Sequence, residues 1–165
     1  MDLPAADDIE GSCAMKPVLF KTVSVIFPSH RRPRFDVEVK VWRDSETLRA
    51  YRNSIIHSPK SSAWAFVSQP FGKFRIDDNG KLRRTPYLCE VNFSLEQGTP
   101  LIITHEAFHI VMMMARRMRL NPACARTKAD RRMEECFAIA HENITSDLSG
   151  VVQDAALKFL KDRGQ

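Results

Sequence analysis

Two histidines bracket a glutamate at His105-Glu106-Ala107-Phe108-His109, inside a run that is otherwise apolar almost all round. Leu101, Ile102, Ile103, Ala107, Phe108, Ile110, Val111 and Met112 to Met114 surround these three ionisable residues, and no other appears before Arg116. A helix apolar on every side is buried rather than surface-lying. Thr99-Pro100 reads as an N-cap followed by proline in the first turn, so the pattern predicts a buried helix over 99–118. Buried ionisable groups need partners. Histidines four apart share a helix face, with Cβ atoms about 5–6 Å apart, which lets both rings converge on one zinc ion at about 2.0–2.1 Å per bond. Glu106 lies one position further round, where its carboxylate reaches a water on such an ion. The chemistry implied is hydrolysis, with His105 and His109 as ligands and Glu106 as general base. Met112 to Met114 read as core filler.

A catalytic zinc takes three protein ligands plus water. The extended pattern H-E-x-x-H-x-x-G-x-x-H is absent, because Met112 and Ala115 stand where its glycine and third histidine would be. Metzincins, and zinc ribonucleases that need the same third histidine, are thereby excluded. A glutamate on the next helix is the remaining common solution. Asp130 to Leu148 predicts that helix, with Asp130 as its cap and Met133, Phe137, Ala140, Ile144 and Leu148 on one face. It carries Glu134, Glu135, His141 and Glu142. Helical geometry places Glu134 and His141 together beside the apolar stripe and turns Glu135 nearly opposite, so periodicity favours Glu134.

Glu135-Cys136-Phe137-Ala138, following the His105–His109 motif, resembles the E-x-F-A run that carries the third ligand of some gluzincins. These are zincin metallopeptidases with H-E-x-x-H and a downstream glutamate. The chain is also similar in size and motif pairing to small metallopeptidases encoded by bacteriophages. The resemblance covers about the last third of the chain before its tail. It implies a zincin-like domain, a peptide or protein substrate, a Zn2+ cofactor and Glu135 as third ligand, with His141 or Glu134 beside the metal or the transition state. The chain departs from larger gluzincins at Glu134, where asparagine is frequent, and at Ile139, where thermolysin-like members place an aspartate. In zincins of this build an edge strand before the active-site helix pairs with extended substrate by β-augmentation. Tyr87 to Leu95, with Tyr87, Cys89, Glu90, Val91 and Asn92, is the candidate; a central strand with both edges filled is the alternative.

The rest of the chain predicts strands at Val18–Phe27, Phe35–Trp42, Ala63–Val67, Phe71–Ile76 and Tyr87–Leu95. A short helix capped by Asp44 or Ser45 carries Leu48, Tyr51 and Ile55 on one face. Ser58 to Ser62 reads as a loop, and Asn79-Gly80 as a hairpin turn. Strands first and helices after (99–118, 130–149 and 151–162) argue an α+β fold with a mostly antiparallel sheet. At 165 residues, one domain over 17–165 after a flexible leader at 1–16 is expected. The acidic start lacks a signal peptide's basic and apolar regions, which implies a cytoplasmic protein, and no stretch approaches the roughly 20 apolar residues of a membrane span. The 4 cysteines, Cys13, Cys89, Cys124 and Cys136, form no C-x-x-C pair, so reduced thiols are expected.

The formal net charge is +5, gathered in clusters at His30–Arg34, Lys81–Arg84, Arg116–Arg119 and Arg126–Arg132. No aromatic residues interleave with them as a stacking platform would require. Nucleic acid is therefore a secondary expectation. It belongs to the competing class, a zincin-like binding module with structural zinc whose basic loops engage nucleic acid or a protein.

Overall fold

The computed structural model describes residues 16–55, 65–68, 74–76, 80–120 and 128–164. The expected leader up to residue 15, Cys13, the loop Ser58–Ser62, Phe71, Asn79, Cys124 and Arg126 lie outside the described residues. The fold is α+β. Its elements are β1 (Leu19–Ile26), β2 (Arg34–Trp42), α1 (Ser45–Ile55), β3 (Ala65–Ser68), β4 (Phe74–Ile76), β5 (Leu82–Arg84), β6 (Tyr87–Ser94), α2 (Pro100–Met118) and α3 (Lys128–Arg163).

Four strands form one sheet in the order β1-β2-β6-β3, and β4 pairs with β5 in a separate hairpin. β1 with β2 and β3 with β6 are antiparallel; β2 and β6, adjacent but distant in sequence, run parallel. The Val37, Val39 and Val41 alternation buries those side chains on one face of β2, where they join Cys89, Val91 and Phe93 against α2 and α3. The other face carries Trp42 and Phe66 against Leu48 and Tyr51 of α1. Ile55, expected on the same face of α1, is exposed.

β6 alternates apolar and polar residues, yet all eight of its side chains are buried. It lies between β2 and β3, and the polar half of its alternation sits beneath α1. There Trp42 Nε1 donates to Asn92 Oδ1 at 2.9 Å, and Asn92 Nδ2 donates to Glu90 Oε1 at 2.9 Å. Tyr51 donates to the same Glu90 oxygen at 2.9 Å, and Lys40 pairs with its other oxygen at 2.7 Å. Burial would push the Glu90 carboxyl up, but Lys40, Asn92 and Tyr51 outweigh it and hold the group below its ordinary value. A buried charge satisfied this fully is tolerated; an orphaned one would not be.

The sequence divides the C-terminal helical region at Gly150, whereas α3 is one continuous helix of 36 residues. A single interior glycine costs about 1 kcal/mol relative to alanine. That is too little to end a helix whose buried stripe, Ala140, Ile144 and Leu148, continues through Val151 and Ala155. Among the described residues α3 runs from Lys128, so Asp130 lies within it rather than at its cap. Among the described residues no helix is long and apolar enough to cross a membrane.

Candidate metal centre

α2 starts as its sequence requires. Thr99 is the N-cap, in extended conformation, its hydroxyl accepts from the Ile102 N–H at 3.5 Å, and Pro100 follows in the first turn. The helix ends at Arg119, whose left-handed φ of 59° turns its N–H back to the last carbonyls. Between these caps, Ile103, Ala107, Ile110 and Met114 face the core. The residues two positions after each of these, at 105, 109, 112 and 116, face a cleft.

That cleft, of about 430 Å³, lies between α2 and β3 and is lined by Arg52, Ala65, Phe66, Val67, His105, Glu106, His109, Met112, Met113 and Arg116. The Nε2 atoms of His105 and His109 are 3.0 Å apart, so one ring donates a hydrogen bond to the other. Two nitrogens on one tetrahedral ion, each about 2.0–2.1 Å away, lie about 3.3–3.4 Å apart. A small opening of the pair would therefore admit a metal, and the two histidines fit as donors. Burial, and then the charge of His105, pull His109 below its ordinary pKa; this favours the neutral imidazole that a metal needs.

Glu106 is only 6% exposed, and its Oε2 is buried with no hydrogen-bond partner among the described residues. Burial pushes its carboxyl above the ordinary value, opposed by the His105 charge. Its orphaned oxygen therefore sits beside the imidazole pair, where a cation or a water would satisfy it.

The remaining expected site residues are arranged differently. Glu134 and Glu135 are both exposed on α3, and no group of three His, Cys, Asp or Glu residues able to hold a metal exists among the described residues. The inward neighbours of Glu135 are the reason. Cys136 donates to the Pro28 carbonyl at 3.1 Å, and Phe137 packs edge-on against Phe27 at 5.1 Å. With those side chains holding α3, Glu135 is turned outward, and it is not brought to His105 and His109. Glu134 lies on the flank of α3 that carries His141 towards α2. His141 itself donates from Nε2 to the Thr104 carbonyl at 3.0 Å, tying α3 to the turn just before the motif.

The strand expected to take substrate does not line the cleft. β6 has β2 on one side and β3 on the other, and neither Tyr87, Cys89, Glu90, Val91 nor Asn92 lines the cleft. Glu90 and Asn92 lie under α1, while burial raises Tyr87 and pushes the Cys89 thiol up to about 12. The strand at the sheet edge and in the cleft is β3, whose four residues are too short a signal to single out from sequence. Met112, Met113 and Arg116 were missed as cleft residues; their spacing from His109, at i+3, i+4 and i+7, was the available signal. No protein-family model, curated protein or solved structure matches this chain.

Proposed function

We propose that the protein is a zinc-dependent hydrolase acting on peptides, with His105 and His109 as metal donors and Glu106 as general base. The observation that carries this reading is the juxtaposition in one cleft of a close imidazole pair and a buried carboxylate with an unpartnered oxygen. When bound there, zinc supplies a Lewis acid that acidifies water and polarises a carbonyl. Glu106 takes the proton of the attacking water on its free oxygen and returns it to the leaving amine. A carboxylate beside the metal-bound water serves both halves of that exchange, as base and then as acid. β3 supports a peptide rather than a compact substrate. Along Ala65–Ser68 it pairs with β6 on one side only among the described residues, so its outer backbone groups can add an extended strand.

The test is a metal-stripped protein reloaded with zinc and assayed by elemental analysis and on a fluorogenic peptide library. Wild type should hold about one zinc per chain, as a single motif of this kind does, and His105→Ala little. Glu106→Gln should keep the metal while hydrolysis falls by about 10²–10⁴-fold. Full zinc occupancy in His105→Ala, or unchanged cleavage by Glu106→Gln, would refute the proposal.

A further inference from the structure

Three basic segments far apart in sequence meet at one end of the fold. The turn between β1 and β2 is closed by the Phe27 N–H on the Pro33 carbonyl, and the left-handed Arg32, with φ 43°, bonds back to Ser29. The start of α3 seats on that turn through Cys136 and Pro28. The end of α2 reaches the same region from the other side. Arg117 donates to the Thr85 carbonyl, and the neighbouring Pro86 carbonyl accepts from Asp36 at the start of β2. Arg31 and Arg32 from the turn, Arg116 and Arg119 from α2, and Arg131 and Arg132 from α3 therefore share one pole, and all six are exposed. None has an ion pair or side-chain hydrogen bond among the described residues, whereas Arg34 is already paired with Asp36. Among the described residues, the exposed carboxylates of the same region are Glu134 and Glu135, so positive charge dominates there.

We infer that this arginine pole binds the sugar-phosphate backbone of double-stranded nucleic acid without reading its sequence. Every one of the six cations is an arginine, whose planar guanidinium forks onto phosphate oxygens and is weakly hydrated. A protein partner would want an apolar patch at the centre of the contact, but the aromatic rings here turn inward: Phe27 and Tyr87 are buried and Phe137 packs on Phe27. With no exposed Phe, Tyr or Trp ring here among the described residues, unpaired bases find no such platform for stacking. What remains is repeated phosphate. Arg116 also lines the cleft, but the turn and the start of α3 do not, so the surface lies mainly outside the proposed zinc site.

Fluorescence anisotropy with labelled 20-base-pair DNA and RNA duplexes of two unrelated sequences tests it. Binding should be alike for both sequences. The logarithm of the association constant should fall with the logarithm of salt at a slope of about −3 or steeper, since each neutralised phosphate contributes about −0.9. Arg31→Glu with Arg131→Glu should weaken binding at least about tenfold. Lys158→Glu with Lys161→Glu makes the same change in net charge near the other end of α3, roughly 40 Å away at 1.5 Å per residue; it should change binding less than about twofold. Equal losses in the two double variants would mean that net charge, not the pole, attracts the duplex. A flat salt response, or equally tight binding of polyglutamate, would also overturn the inference, the last by handing the surface to an acidic protein.

Discussion

Glu106→Gln should make the metal-free protein more stable, and only above acidic pH. The carboxylate is 6% exposed and one of its oxygens has no partner among the described residues. A buried acceptor left unsatisfied costs about 1–3 kcal/mol. Glutamine keeps the shape and removes the charge, but its amide also lacks partners, so only the lower end of that range, about 1 kcal/mol, is recovered. For a domain of this size that is about 2–4 °C in melting temperature. Burial raises the folded-state pKa of Glu106, so the native state holds this proton more tightly than the unfolded chain does. Stability from that protonation is fully present below the unfolded value of about 4.3 and is lost as pH rises through the folded value. Wild type and variant should therefore melt together near pH 4 and separate as pH increases. Thermal melts between pH 4 and 8 in the presence of a chelator measure the gap directly. A destabilised glutamine variant at pH 8 would show that the charged carboxylate has a partner in the folded protein. A gap that does not change with pH would show that charge is not the cause.

Asp44 caps α1 by accepting from the Thr47 N–H at 2.8 Å; that bond, and then the Arg43 side chain, hold its carboxyl down to about 2. Asp44→Ala should cost about 1 kcal/mol at neutral pH, and calorimetry should show this difference shrinking as pH falls from about 4 towards the folded value, where the wild-type cap is protonated. A methyl at Gly98 would sit 3.0 Å from Val152 Cγ1 and 3.3 Å from the Ser94 carbonyl. Gly98→Ala should therefore destabilise by about 1–3 kcal/mol through overpacking, read from urea titration. Glu134 and Glu135 can be separated by chelator competition: α3 carries Glu134 on the α2 flank and turns Glu135 outward, so Glu134→Ala should weaken zinc retention more than Glu135→Ala. The reverse order would mean that α3 rotates when the metal binds.

The fold was legible wherever a side-chain period met a burial boundary. The alternation of Val37, Val39 and Val41 located β2, and the Thr99-Pro100 start located α2, because each pattern reports a face that must leave water. β6 was legible as a strand but not as a central one. Glu90, Asn92 and Ser94 look like a solvent face, and only the folded chain brings Lys40, Tyr51 and Trp42 within hydrogen-bond reach of Glu90 and Asn92, and Ser45 within reach of Ser94. Pairing order is non-local for the same reason. Nothing in Tyr87–Ser94 encodes that β2 will lie parallel to it on one side while β3 takes the edge on the other. Gly150 does not end the helix because its propensity cost of about 1 kcal/mol is outweighed by the buried contacts of Leu148 and Val151 on either side of it.

The site divides along the same line. His105, Glu106 and His109 are fixed to one another by a single helix, so their spacing already determined that the rings would meet and that the carboxylate would lie beside them. A ligand from α3 has no such guarantee. Its direction depends on the rotation of a second helix, and that rotation is set by Cys136 on Pro28 and Phe137 on Phe27, contacts made to the β1–β2 turn rather than to α2. Glu135, one residue before Cys136, is exposed, whereas Cys136 and Phe137 are half-buried against that turn. His141, one turn after Phe137, does reach α2, and it is held there by a backbone carbonyl. The motif that names a chemistry is thus local, whereas the residues that complete it are chosen by packing. A short sequence match downstream can point to a helix without identifying which of its faces is turned to α2.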